Sequence, residues 1–119
     1  MIIEDDADIR ESFGDILKDE GYSVALASNG QEALKLLGTG ILPRLFLVDM
    51  MMPVMDGAAF CKAWQANPEF HSVPLFIVSA SAMTLERSNA CGATGFLVKP
   101  LGLNQLLDVV EKHVGKGDI

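Results

Sequence analysis

The sequence predicts a doubly wound α/β fold, a five-stranded parallel sheet with helices on both faces, and three observations carry that prediction. Short β-branched or leucine-rich runs alternate five times with amphipathic stretches, the pattern that forces helices onto both faces of a parallel sheet. Each run is apolar along its whole length, as a strand covered on both faces must be. The 119 residues sit near the modal size of one folding unit, so residues 1–119 are read as a single domain.

The predicted strands are Met1 to Ile3, Ser23 to Leu26, Leu45 to Val48, Leu75 to Val78 and Phe96 to Val98. Between the first two, Ile9, Phe13, Ile16 and Leu17 share one helical face that closes at Gly21, the residue type that ends helices most readily. Ala33, Leu34 and Leu37 repeat the pattern in a second helix before Gly38. A third helix runs from Gly57 to Asn67 with Phe60, Ala63 and Trp64 inward, and Pro68 stops it because proline removes a donor and clashes with the preceding turn. The segment from Ala82 to Ala90 carries few apolar positions and holds Thr84, Ser88 and Asn89, so it predicts a short or poorly ordered fourth helix. The fifth runs from Leu103 to Val114 on Leu106, Leu107, Val110 and Val114.

Composition narrows the function. Half of the residues are hydrophobic, and nine basic against sixteen acidic side chains give a formal charge of -7. That balance supplies core without the cationic surplus that phosphate backbones or anionic lipid require, so direct nucleic acid binding is not expected. Apolar runs close well short of the roughly 18 residues a membrane span needs, and the start lacks a secretory pattern. A cytoplasmic location is the expectation. Cys61 and Cys91 show neither metal nor redox spacing and are read as free core thiols.

In a parallel α/β sheet, ligands bind at the carboxyl ends of the strands. There the sequence places Glu4, Asp5 and Asp6 after the first strand, Asp49 after the third, Ser79 after the fourth and Lys99-Pro100 after the fifth. Converging carboxylates repel one another unless a cation joins them, and hard oxygen donors call for Mg²⁺ or Mn²⁺. Several acids in the first twenty residues merely suit a helix N-terminus. The Met50, Met51, Met52 and Met55 cluster reads as gap-filling side chains, and Trp64 as packing.

The motifs Ile3-Glu4-Asp5-Asp6 with Arg10, Leu47-Val48-Asp49-Met50-Met51-Met52-Pro53-Val54-Met55-Asp56-Gly57, Val78-Ser79-Ala80 and Gly95-Phe96-Leu97-Val98-Lys99-Pro100 resemble those of two-component response regulator receiver domains, the family of the chemotaxis protein CheY. The resemblance implies a flavodoxin-like sheet of order 2-1-3-4-5. It implies that Asp49 accepts a phosphoryl group, that Glu4, Asp5, Asp49 and the backbone carbonyl of Met51 hold Mg²⁺, and that Ser79 and Lys99 contact the phosphoryl oxygens. A cis bond before Pro100 belongs to the same pattern. The implied partners are a sensor histidine kinase or histidine phosphotransfer protein and a downstream protein target. The chain would then be no enzyme beyond catalysing its own phosphorylation and dephosphorylation. The segment between Ser79 and Lys99 is shorter than the family's usual one, and Thr94 and Gly95 replace the acids of regulators that pair for DNA binding. A receiver-like interaction module working without phosphate is the alternative reading. An aspartyl phosphatase needs a second acid two positions past the nucleophile, where this chain has Met51.

Overall fold

The computed structural model of the chain describes residues 1–50, 54–79 and 92–114. Its elements run β1 (Ile2–Ile3), α1 (Ala7–Asp19), β2 (Leu26–Ala27), α2 (Gly30–Gly38), β3 (Phe46–Asp49), α3 (Gly57–Ala66), α4 (Pro68–His71), β4 (Leu75–Ser79), β5 (Gly95–Val98) and α5 (Leu103–Val114). The strands form one sheet in the order β2-β1-β3-β4-β5, and every pairing is parallel. The predicted class and strand order therefore hold. The segment from Ala82 to Ala90, expected as a short or poorly ordered helix, lies outside the described residues.

Alternation along the strands sends side chains to two cores, because successive Cβ atoms leave a strand on opposite faces. Ile3, Phe46, Val48, Leu75 and Ile77 pack with Ala33, Leu37, Phe60 and Trp64 on one face. Ile2, Leu47, Val78 and Leu97 pack with Leu17, Leu106 and Val110 on the other. Trp64 is buried and its Nε1 donates to the Val73 carbonyl at 2.8 Å, so it anchors α3 as the sequence implied.

Helix starts follow short polar caps, which satisfy amides that have no partner within the first turn. Asp6 accepts from Asp8 N and Ile9 N at the head of α1, and Asp56 accepts from Ala59 N at the head of α3. Asn29 caps α2 through Glu32 N at 2.9 Å while Glu32 Oε1 accepts from Ser28 N at 3.0 Å, a reciprocal capping pair.

Several details depart from the sequence reading, among them β2, which holds only Leu26–Ala27 where Ser23 to Leu26 was expected. Pro68 does end α3, but it also opens α4, where Asn67 accepts from Glu69 N and Phe70 N; proline at a first helical position forfeits no bond. β3 and β4 each extend one residue further than expected, so Asp49 and Ser79 are the last strand residues rather than the first loop residues. Cys61 is fully buried and disulfide-bonded, which corrects the free-thiol expectation for it; Cys91 lies outside the described residues. Spacing along a chain says nothing about two sulfurs meeting through space, and a buried cysteine reads alike in either state.

Candidate functional site

Register brings the polar residues together. Asp49 ends β3 opposite Val78, and Ser79 ends β4 opposite Val98, so the exits of β3, β4 and β5 lie side by side. Lys99 follows at once, and its amide donates to the Ser79 carbonyl at 2.9 Å. The Lys99-Pro100 peptide bond is cis, as the family resemblance implied. Glu4 leaves β1, which neighbours β3, and its amide still donates to Ala27 O of β2 at 3.0 Å.

α3 closes the site from the Asp49 side. The Gly57 amide donates to the Met50 carbonyl at 3.0 Å, and a Cβ at Gly57 would fall 2.6 Å from the Asp49 carbonyl oxygen and 2.8 Å from the Met50 Cα. Glycine alone permits this approach, since backbone atoms cannot yield as a side-chain tip can.

Glu4, Asp49 and Ser79 are buried, whereas Asp5 is exposed. Glu4, Asp5 and Asp49 each offer a carboxylate oxygen, and these oxygens lie within 4.8 Å of one another. Lys99 Nζ stands 3.2 Å from Glu4 Oε1 and 3.2 Å from Asp49 Oδ1. Asp6 takes another course. Its side chain caps α1 at 3.0 Å from Asp8 N and 3.1 Å from Ile9 N, while its amide donates to Glu4 Oε2 at 3.3 Å. Met51, expected to contribute a carbonyl, lies outside the described residues.

Crowding of the acids shifts their proton affinities in opposite directions. Burial, hydrogen bonding with Asp49 and Asp5, and the Asp49 charge push the Glu4 carboxyl up to about 7. Burial alone would raise Asp5, but its bonds with Glu4 and Asp49 and the Lys99 charge hold it below the usual carboxylate range. Burial would likewise lower the Lys99 ammonium, and the Asp49 and Glu4 carboxylates overcome this and hold it above its ordinary value. One lysine is too little charge for three acids, so Glu4 holds its proton more tightly than a free carboxyl does. Three oxygen donors at this separation suit a hard divalent cation, which would release that proton.

Sequence reasoning gave Arg10 no role, yet Arg10 Nη1 donates to the Glu4 carbonyl oxygen at 2.8 Å. A basic residue six positions after Glu4 was the available signal, but nothing in a sequence tells a solvated arginine from one turned back on a loop.

A flavodoxin-like sheet whose strand ends gather three carboxylates and a lysine defines an α/β protein with an acidic pocket at its topological switch point. The pattern of the response regulator receiver domain matches residues 1–111. The chain belongs to that family, the receivers of two-component systems. It is 34% identical over 109 residues to the response regulator MprA of Mycolicibacterium vanbaalenii, covering 90% of this chain and 46% of that protein. It is 29% identical to the probable transcriptional regulator ycf29 of Pyropia yezoensis, covering 98% of this chain and 53% of that one. The chain thus spans about half the length of these curated relatives. Among solved structures, Vibrio cholerae chemotaxis protein CheY4 superposes with a TM-score of 0.85 at 31% identity, covering 94% of each chain. The signal receiver domain of a histidine kinase from Syntrophus aciditrophicus gives a TM-score of 0.85 at 31% identity, covering 93% of this chain and 85% of that one. Among the described residues, no helix is long and apolar enough to cross a membrane.

Proposed function

We propose that Asp49 accepts a phosphoryl group from a histidine kinase or histidine phosphotransfer protein in a Mg²⁺-dependent reaction, and that the acyl phosphate switches a surface read by a downstream protein in the cytoplasm. The observation that carries this reading is Lys99 Nζ placed 3.2 Å from both Glu4 and Asp49, beside three carboxylate oxygens within 4.8 Å.

Glu4, Asp5 and Asp49, with the backbone carbonyl of Met51, would hold the cation. Bound Mg²⁺ supplies charge neutralisation between the anionic nucleophile and the phosphoryl oxygens. An Asp49 carboxylate oxygen attacks phosphorus, the bond to the donor's leaving group breaks, and an acyl phosphate results. Lys99 meets one phosphoryl oxygen as a point charge. Ser79 donates its hydroxyl to another once that oxygen exists, and the movement of Ser79 repositions the exit of β4.

The test is a mass measurement after incubation with acetyl phosphate. One phosphoryl adduct is expected with Mg²⁺ and none with a chelator. An unmodified mass in both supports instead an interaction module that works without phosphate.

Two further outcomes follow from the site. Because the Glu4 carboxyl is pushed up to about 7, it keeps its proton up to neutral pH in the cation-free fold. The unfolded chain loses that proton near the group's ordinary value of 4.5, so this group's contribution to stability is full below 4.5 and is lost as pH rises through 7. Cation binding has the opposite dependence. Mg²⁺ affinity, measured by calorimetry, should weaken about tenfold for each pH unit below 7 while Glu4 must deprotonate on binding; a flat profile from pH 6 to 8 would remove Glu4 from the ligand set.

The second outcome concerns signal lifetime. Hydrolysis needs a water held in line with the acyl phosphate, and Met51 and Ser81, each two positions past Asp49 and Ser79, offer it little orientation. Slow self-dephosphorylation is expected. Met51→Asn with Ser81→Glu should accelerate phosphate loss by about one power of ten, roughly 1.4 kcal/mol of barrier, followed by mass after donor removal at constant Mg²⁺. Identical decay in the two proteins would assign the lifetime to water access.

A further inference from the structure

β1 holds only two residues, so the connection that follows it, which carries two of the three clustered acids, has little sheet to brace it. Its bracing comes from polar contacts around Glu4. The Glu4 amide is bound to Ala27 O at 3.0 Å, Oε1 faces Lys99 Nζ at 3.2 Å, and Oε2 accepts from Asp6 N at 3.3 Å. The carbonyl oxygen is taken by Arg10 Nη1 at 2.8 Å, the shortest of the four. Arg10 sits inside α1, whose N-terminus Asp6 caps, so the bond closes a ring of backbone and side chain around Asp5.

We propose that Arg10 is a positioning residue for the cation site: by fixing the Glu4 carbonyl it holds the turn in which Glu4 and Asp5 present their carboxylates toward Asp49. This rests on the reading of the acid cluster as a Mg²⁺ site. Arg10 acts through a directed hydrogen bond rather than as a counter-charge, because its guanidinium meets a peptide oxygen while Lys99 meets the carboxylates. A turn already held in shape loses less conformational freedom when the cation arrives, which is how residues outside the ligand set govern affinity.

A purely structural role, docking α1 onto the sheet, is separable by experiment. Arg10→Met keeps the apolar stem and removes every donor, Arg10→Lys keeps one donor, and Asp6→Ala loosens the start of α1 without touching the Arg10–Glu4 bond. Each protein is titrated with Mg²⁺ by calorimetry, and amide hydrogen exchange at Asp5 and Asp6 is measured without Mg²⁺. Arg10→Met should bind Mg²⁺ about tenfold more weakly and exchange faster at Asp5 and Asp6. Arg10→Lys should recover most of the affinity, and Asp6→Ala should lower the melting temperature while retaining it. Mg²⁺ binding by Arg10→Met equal to wild type, or weakened no more than in Asp6→Ala, overturns the positioning role alone. Absent Mg²⁺ binding in the wild type overturns the cation site and the positioning role together.

Discussion

Asp49→Ala is expected to take up no phosphoryl group from acetyl phosphate under conditions in which the wild type gains one, and to remain folded while doing so. Asp49 is the buried carboxylate at the end of β3, 3.2 Å from Lys99 Nζ, and in the proposed reaction its oxygen forms the new bond to phosphorus. Alanine leaves no nucleophile there. The exposed acids cannot substitute, because a carboxylate that attacks phosphorus must approach a dense negative charge and needs the lysine beside it. Folding survives because the substitution relieves more than it removes. Asp49 raises Glu4 through a hydrogen bond and through its charge, so in its absence the Glu4 carboxyl drops toward its ordinary value and pairs with Lys99 alone. The thermal midpoint in metal-free buffer should stay level or rise. A retained adduct on Asp49→Ala would move the acceptor elsewhere, and loss of the adduct together with loss of the melting transition would call for Asp49→Asn, which keeps the shape, as the deciding variant.

The second large effect separates two neighbours of the same chemical type. Asp5→Ala should weaken Mg²⁺ at least about tenfold, the low end of what loss of a metal-site contact costs, with the melting temperature unchanged. Asp6→Ala should leave Mg²⁺ affinity intact and cost about 1 kcal/mol of stability, the usual value of an N-cap. The reason lies in where the side chains point. Asp5 contributes an oxygen to the group within 4.8 Å, while Asp6 Oδ1 is turned onto Asp8 N and Ile9 N. Calorimetric titration paired with thermal denaturation reads both quantities on each variant, and an exchange of the two phenotypes would reverse the assignment of ligand and cap.

Much of this was legible in the sequence because the fold writes itself in periodicity. Fully covered strands are continuously apolar and amphipathic helices repeat every three to four residues, so five strands and their order through the family resemblance could be read without coordinates. Asp49, Ser79 and Lys99 were legible for a related reason: a polar residue closing an apolar run marks a strand exit, and the exits of parallel strands share one edge. What escaped was whatever depends on through-space approach. Pro68 reads as a stop, and only the Asn67 cap turns it into the start of α4. Cys61 gives no sign of its bonded state. Asp5 and Asp6 differ by one position, and nothing but the path of the chain into α1 decides which faces the cluster. Arg10 belongs to the same group, since its contact is with a backbone oxygen that no sequence pattern displays.

The backbone approach at Gly57 has a mechanical side. Where α3 begins, its first residue touches the peptide of Asp49 and Met50 with no room for a methyl group between them, and a hydrogen bond from Gly57 N to Met50 O clamps the two together at 3.0 Å. Strand end and helix start therefore travel as one body. That side of the cluster is an anvil: in the proposed reaction it would not give as a phosphoryl group was installed on Asp49. On the proposed reading any displacement would fall to the opposite wall, where β4 ends in Ser79, β5 is followed at once by Lys99, and a backbone bond of 2.9 Å joins these two residues. On the proposed reading the signal would therefore run away from α3 and across the sheet toward β5, its direction set by the close approach of a glycine.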